Sequence, residues 1–171
     1  MKKIAIFGKP GGGKSTLASK FAAETGINLY ALDLIEYKEN GEKISHEDFS
    51  KQHADLIAND CWIIEGLGPI ESFWLRIDAA DTLIYVDLPY VVHYWWVAKR
   101  LLKSLFKRPE GWPEGSSVFK GTLASLKYLR LSPNFWNEKL LTKIHSHGNG
   151  KMICHITSVQ ELNAFLRQVR H

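Results

Sequence analysis

The stretch Gly8-Lys9-Pro10-Gly11-Gly12-Gly13-Lys14-Ser15 constrains this chain more than any other. It fits G-x-x-x-x-G-K-[ST], a loop that wraps a phosphate chain. Its flanks suit the task. Lys3 to Phe7 is a short apolar run fit for a buried parallel strand, and Ser15 to Thr25 reads as a helix with Leu17, Ala18, Phe21 and Ala22 on one face. Lacking Cβ atoms, Gly8, Gly11, Gly12 and Gly13 are free to take positive φ and let backbone N–H groups converge on an anion at a helix N-terminus. Lys14 is placed to reach the β- and γ-phosphates, Ser15 to put its hydroxyl on Mg²⁺, and Thr16 follows in the first helical turn.

Composition sets the frame. At 171 residues and 45% hydrophobic the chain reads as one domain with a sizeable core. No uncharged apolar run approaches the ~18 residues of a membrane span, and no charged-then-apolar leader is seen, so a soluble, cytoplasmic protein is expected. Cys61 and Cys154 read as small buried residues rather than as a disulfide or metal pair. Charge is uneven. Residues 1 to 90 hold 9 Lys+Arg against 14 Asp+Glu, a net −5, and residues 91 to 171 hold 13 against 4, a net +9. Such a basic half fits nucleic acid, an anionic membrane, or cations closing over polyphosphate.

Further strands end in acids. Ile27 to Leu32 is expected to be a strand closing at Asp33, Trp62-Ile63-Ile64 one closing at Glu65, and Thr82 to Val86 one closing at Asp87. In open parallel sheets ligands bind at the carboxyl ends of strands, so Asp33 is placed to hold Mg²⁺ through water, to orient an acceptor hydroxyl or to take its proton, and Glu65 to polarise a Mg²⁺-bound water. Asp33 as a cap and Glu65 as an ordinary strand-end acid are the competing readings. Ser45 opens a helix to about Asn59, and Arg76 lies on the next, aimed at a substrate phosphate or tied in a surface salt bridge. Pro89 starts a long helix from Tyr90 to Phe106 whose stripe of Val91, Tyr94, Trp95, Ala98, Leu101, Leu102 and Leu105 is expected to be core, with a membrane-surface role as the lesser reading. Residues 107 to 121, with two prolines and three glycines, read as a mobile loop that brings Arg108, together with Lys103 or Arg100, onto phosphate oxygens. Helices over Leu123 to Leu131 and Asn134 to His145, a strand from Lys151 to Ile156 and a terminal helix capped by Ser158 and Glu161 complete the order.

The expected architecture is α/β: a P-loop NTPase fold with a five-stranded parallel sheet, helices on both faces, and a lid at about 100–135 in a single 1–171 domain. The chain resembles the P-loop kinases of the adenylate kinase-like group, closest to the FlaR-like DNA topology modulation proteins. The likeness rests on the phosphate loop, Leu29 to Asp33, Trp62 to Gly66, Ala80 to Pro89, and Arg108-Pro109 with Trp112-Pro113-Glu114. It implies that Lys14 and Ser15 serve ATP·Mg²⁺, that Asp33 and Arg76 face the acceptor, that Arg100 and Arg108 belong to the lid, and that Thr157-Ser158 lies by the adenine. The chain departs from those relatives in three places. Glu65 stands where they usually have Asp, Leu67-Gly68 replaces a polar pair, and Trp96 replaces an arginine that packs on adenine. The function implied is transfer of the γ-phosphoryl group of Mg-ATP to a small acceptor. The alternative is a nucleotide-binding regulator acting on DNA or a protein with little turnover, disfavoured because no helix-turn-helix or zinc motif is present.

Overall fold

The apolar runs form five strands: β1 (Lys3–Gly8), β2 (Leu29–Ala31), β3 (Trp62–Glu65), β4 (Thr82–Val86) and β5 (Met152–Ile156). In the computed structural model all pair in parallel, in the order β2-β3-β1-β4-β5. The structure describes residues 1–38, 42–104 and 118–168. Arg108, the Trp112-Pro113-Glu114 run and the Asn40-Gly41 turn lie outside the described residues.

Strand periodicity explains the layers. Ala5, Phe7, Trp62, Ile64, Leu83 and Tyr85 face one side, and Ile4, Ile6, Ile63, Ile84 and Val86 the other. On the first face the sheet is covered by α3 (His46–Ala58) through Phe49, by α4 (Ile70–Ala79) through Phe73 and Ile77, and by α7 (Glu138–His147) through Leu140 and Ile144. On the second it is covered by α1 (Lys14–Thr25) through Leu17, Ala18 and Phe21, and by α8 (Val159–Gln168) through Leu162. The expected five-stranded parallel sheet with helices on both faces is what forms. Between these lie α2 (Leu32–Glu36), α5 (Tyr90–Ser104) and α6 (Val118–Leu131), with a 3-10 turn at Ser132–Asn134.

Local chemistry sets most helix ends. Ser45 Oγ accepts from Asp48 N at 3.0 Å, and Ser158 Oγ accepts from Glu161 N at 3.1 Å, as the capping patterns predict. Asn137, inside the span expected to be helical, instead caps α7 by accepting from Leu140 N at 3.1 Å.

Several expectations are corrected. β2 is shorter than expected: the chain turns helical at Leu32, which puts Asp33 in the first turn of α2. Val118 to Gly121 belong to α6 and not to a loop. Cys61 is exposed, because it precedes β3 instead of entering it, and Cys154 is only half-buried. The largest difference concerns α5. Its buried residues are His93 and Val97, while Val91, Tyr94, Trp95 and Leu102 are exposed. The helix carries two apolar stripes, and the one holding His93 and Val97 is the one that faces inward, against the phosphate loop.

Candidate functional site

Parallel pairing puts all five strand ends at one edge. In register, Ile6 and Ala31 flank Glu65, and Gly8 and Ile156 flank Val86. The phosphate loop, Asp33, Glu65, Asp87 and Thr157 therefore gather along that edge. No helix in the described residues is long and apolar enough to cross a membrane.

Backbone and packing shape the loop together. Gly11 and Gly13 sit at φ +71° and +79°, where a side chain is strained. Gly12 does not share that conformation. It is small for another reason, since a Cβ there would come within 2.9 Å of His93 Cε1. A Cβ on Gly11 would come within 2.5 Å of Val97 Cγ2, so α5 is the surface against which the loop is moulded. His93 also holds the loop directly, its Nδ1–H donating to Pro10 O at 2.8 Å. Burial pushes the His93 pKa down to about 4, so the ring is neutral at ordinary pH. At the other side, the Lys9 ammonium pairs with Asp87 and lies 4.5 Å from the centre of the Tyr90 ring. Asp87 accepts a second bond from His155 Nε2 at 3.2 Å. Burial pushes the Asp87 pKa up, but the Lys9 and His155 partners outweigh it and leave the carboxyl below its ordinary range.

The loop runs into α1 at Gly13, with no side chain capping the helix and no acid in its first turn. Those N–H groups and the dipole end are left for an anion. Lys14 Nζ donates to Lys9 O at 2.9 Å, folded back over the loop, and stands 3.9 Å from Glu65 Oε1. Ser15 Oγ donates to Glu65 Oε2 at 3.2 Å. Glu65 is nearly buried, and desolvation raises its pKa against the pull of Lys14 and the Ser15 hydroxyl. A hydroxyl and a carboxylate together suit a hard cation such as Mg²⁺ that keeps most of its waters and takes phosphate oxygens as well. No cluster of three or more metal-ligating side chains occurs among the described residues, so a protein-only cage is not formed there.

The sequence-predicted residues divide into groups. Gly8, Gly11, Gly12, Gly13, Lys14, Ser15, Thr16 and Glu65 come together at the loop. Trp96, half-buried, stands 3.0 Å from where a Gly13 Cβ would be, and with Val91, Val92, Trp95 and Val159 lines an apolar groove of about 320 Å³. Thr157 lies two residues before that groove's Val159 wall, its N–H donating to Glu161 Oε2 at 2.7 Å. Asp33 is exposed, and its charge acts on both Glu65 and Arg100. Arg100 donates from Nη2 to Ser125 Oγ at 2.9 Å, tying α5 to α6.

Arg76 departs most from expectation. It is wholly buried, which excludes the surface salt bridge. Nη2 donates to Gly66 O at 2.9 Å and Leu67 O at 3.1 Å, and Nη1 donates to His53 Nε2 at 3.4 Å. Burial lowers its pKa to about 9, partly offset by Glu65, and it stays charged at neutral pH. His53, buried beside it, is pushed down to about 4 by desolvation and by the Arg76 charge. The guanidinium thus props the turn that follows β3.

Three partners were not legible: Lys9 with Asp87, His93 with Pro10, and His53 with Arg76. Asp87 alone carried a signal, as a third acid closing a strand. Lys9 occupies a variable position of the loop motif, and the two histidines sit within apolar helix faces.

No family model matches the sequence, and a search of curated proteins finds no match. Solved structures do match. A sugar kinase from Janibacter sp. HTCC2649 is similar at a TM-score of 0.50 and 17% identity, over 99% of this chain and 90% of that one. Shikimate kinase from Acinetobacter baumannii, in complex with shikimate, is similar at a TM-score of 0.56 and 10% identity, over 99% and 92% of the two chains. With the parallel sheet and its loop, these likenesses show that this chain shares the fold of those two structures, a five-stranded parallel sheet with helices on both faces.

Proposed function

We propose that this chain is a P-loop kinase that transfers the γ-phosphoryl group of Mg-ATP to a small hydroxylated acceptor. The observation that carries the reading is the joined set at the sheet edge: an uncapped helix N-terminus behind the glycine loop, Lys14 beside it, and Ser15 bonded to Glu65. Residues 1–171 act as one cytoplasmic domain with its closing segment at about 100–135.

Lys14 exchanges Lys9 O for the β- and γ-phosphate oxygens, a swap of one hydrogen-bond acceptor for a charged one. Ser15 and, through water, Glu65 would hold Mg²⁺, which supplies neutralisation of the phosphate charge. The apolar groove takes the base, with Trp96 offering a ring to stack on and Thr157 at its edge.

The acceptor class follows from two residues. A phosphorylated acceptor needs an accessible cationic fork, and Arg76 is wholly buried, with Nη1 and Nη2 bonded to His53, Gly66 and Leu67. Asp33 is an exposed carboxylate at the same edge, fit to take the proton of a hydroxyl as its oxygen attacks the γ-phosphorus and ADP leaves. Arg100, and Arg108 from the adjoining segment, stabilise the charge on the transferred group.

Lys14→Ala is expected to lower ATP-dependent phosphorylation by at least about a hundredfold, while leaving the fold intact. An unchanged rate in a folded variant contradicts the assignment.

A further inference from the structure

Most of the outward stripe of α5 has no role in the chemistry above: only Val91 and Trp95, at one edge of it, also line the groove assigned to the base. At about 100° per residue, Tyr94, Ala98, Val91, Leu102 and Trp95 fall within one arc roughly 100° wide, with Lys99 and Lys103 directly beside it. Val91 is 73% exposed, Trp95 63% and Leu102 61%. The stripe keeps helical spacing over three turns, as a core-facing stripe would, yet it faces solvent. Neighbouring α6 also exposes Phe119, Leu123, Tyr128 and Leu131, along with Lys127 and Arg130. Neither helix contains a single Asp or Glu.

We propose that this face seats the protein on an anionic lipid bilayer surface, with α5 lying in the membrane plane. The chemistry matches at both levels of an interface. Val91 and Leu102 enter the acyl boundary, Tyr94 and Trp95 take the headgroup level that suits amphipathic rings, and the lysine stems reach past them so that their ammonium groups meet lipid phosphates. Other occupants fit less well. Two copies of this chain meeting face to face would bring Lys99, Lys103, Lys127 and Arg130 against their like, with no acid from either helix to answer them. Nucleic acid would answer the lysines and could stack on Tyr94 and Trp95, but it leaves Val91, Ala98 and Leu102, the aliphatic remainder of the stripe, with no apolar partner. The inference uses neither the phosphate loop nor Asp33; it shares Val91 and Trp95 with the groove assigned to the base, and its test therefore reads Tyr94, Leu102, Lys99 and Lys103, which lie outside that groove.

Sedimentation of the full chain with vesicles at physiological salt tests it. The protein is expected to pellet with phosphatidylcholine vesicles containing about 30 mol% phosphatidylserine and to remain in solution with phosphatidylcholine alone. Lys99→Gln with Lys103→Gln should weaken partitioning on the order of twentyfold, about fivefold for each lysine removed. Tyr94→Ser with Leu102→Ser should weaken it at least about tenfold by a separate route, with the unfolding temperature of both variants near that of the parent. Failure to pellet with the anionic vesicles overturns the proposal. So does binding that both variant pairs leave unchanged, or a concentration-dependent dimer that Leu102→Ser abolishes. An acidic protein partner as the true occupant would show itself as the first of these.

Discussion

Arg76 and the two buried histidines, His53 and His93, carry the sharpest consequences of single side chains. Removing a buried charge that satisfies two carbonyls leaves those oxygens without donors, a loss of about 1–3 kcal/mol for each. Arg76→Met is therefore expected to lower the urea midpoint of unfolding clearly. Were Arg76 only an acceptor ligand, stability would hold and KM alone would rise. His53 and His93 are each held near pKa 4 in the fold, against about 6.5 in an open chain. Between those values the unfolded chain binds protons that the folded chain does not. Stability is thus complete above about pH 6.5 and falls as pH drops toward 4, by on the order of 2–3 kcal/mol for each ring. Urea unfolding at pH 7 and pH 5 reads this, and a flat profile contradicts it. Asp87, held low by Lys9 and His155, acts in a lower window, since its contribution is lost only as pH falls through the ordinary carboxylate range.

At the scale of elements, the loop and α5 form one mechanical unit. Gly11→Ala puts a methyl 2.5 Å from Val97 Cγ2 and also strains the backbone at φ +71°. It should cost about 1–3 kcal/mol and weaken nucleotide binding. Adding Val97→Ala removes the opposing methyl, so the double variant should recover part of the binding although the backbone strain remains. Isothermal titration with Mg-ATP measures both, and no recovery would show that α5 does not back the loop. The sequence made the loop legible because its glycines and the Lys14-Ser15 pair stand at fixed spacing in one contiguous run. It could not say which stripe of α5 faces inward, because both stripes are apolar at helical spacing and only the position of Gly11 and Gly12 against Val97 and His93 decides. Arg76 misled for a related reason: a cation near a strand edge serves equally as ligand or as strut, and the choice is set by the carbonyls of Gly66 and Leu67, which have no sequence signature.

For the whole molecule, alternating apolar runs and acids at strand ends were enough to foresee the α/β layers and the edge where the site lies. Strand order was not legible, since nothing local to β1 states that it sits between β3 and β4. That order matters for function: it places the phosphate loop beside Glu65 on one side and Asp87 on the other, with the groove of Trp96 and Val159 adjoining. Mg-ATP bound there should stabilise the entire fold by linkage, by about 2.7 kcal/mol at a hundredfold excess over Kd. The defining property of such an enzyme is the transfer itself. Incubating the protein with Mg-ATP and, in turn, sugars, other small alcohols and nucleoside monophosphates, while measuring ADP and phosphorylated product together, tests it most directly. One hydroxylated acceptor is expected to stimulate ADP release and to gain phosphate in equal amount, with both lost in Lys14→Ala. ADP release that no acceptor stimulates, or that persists in Lys14→Ala, would contradict it.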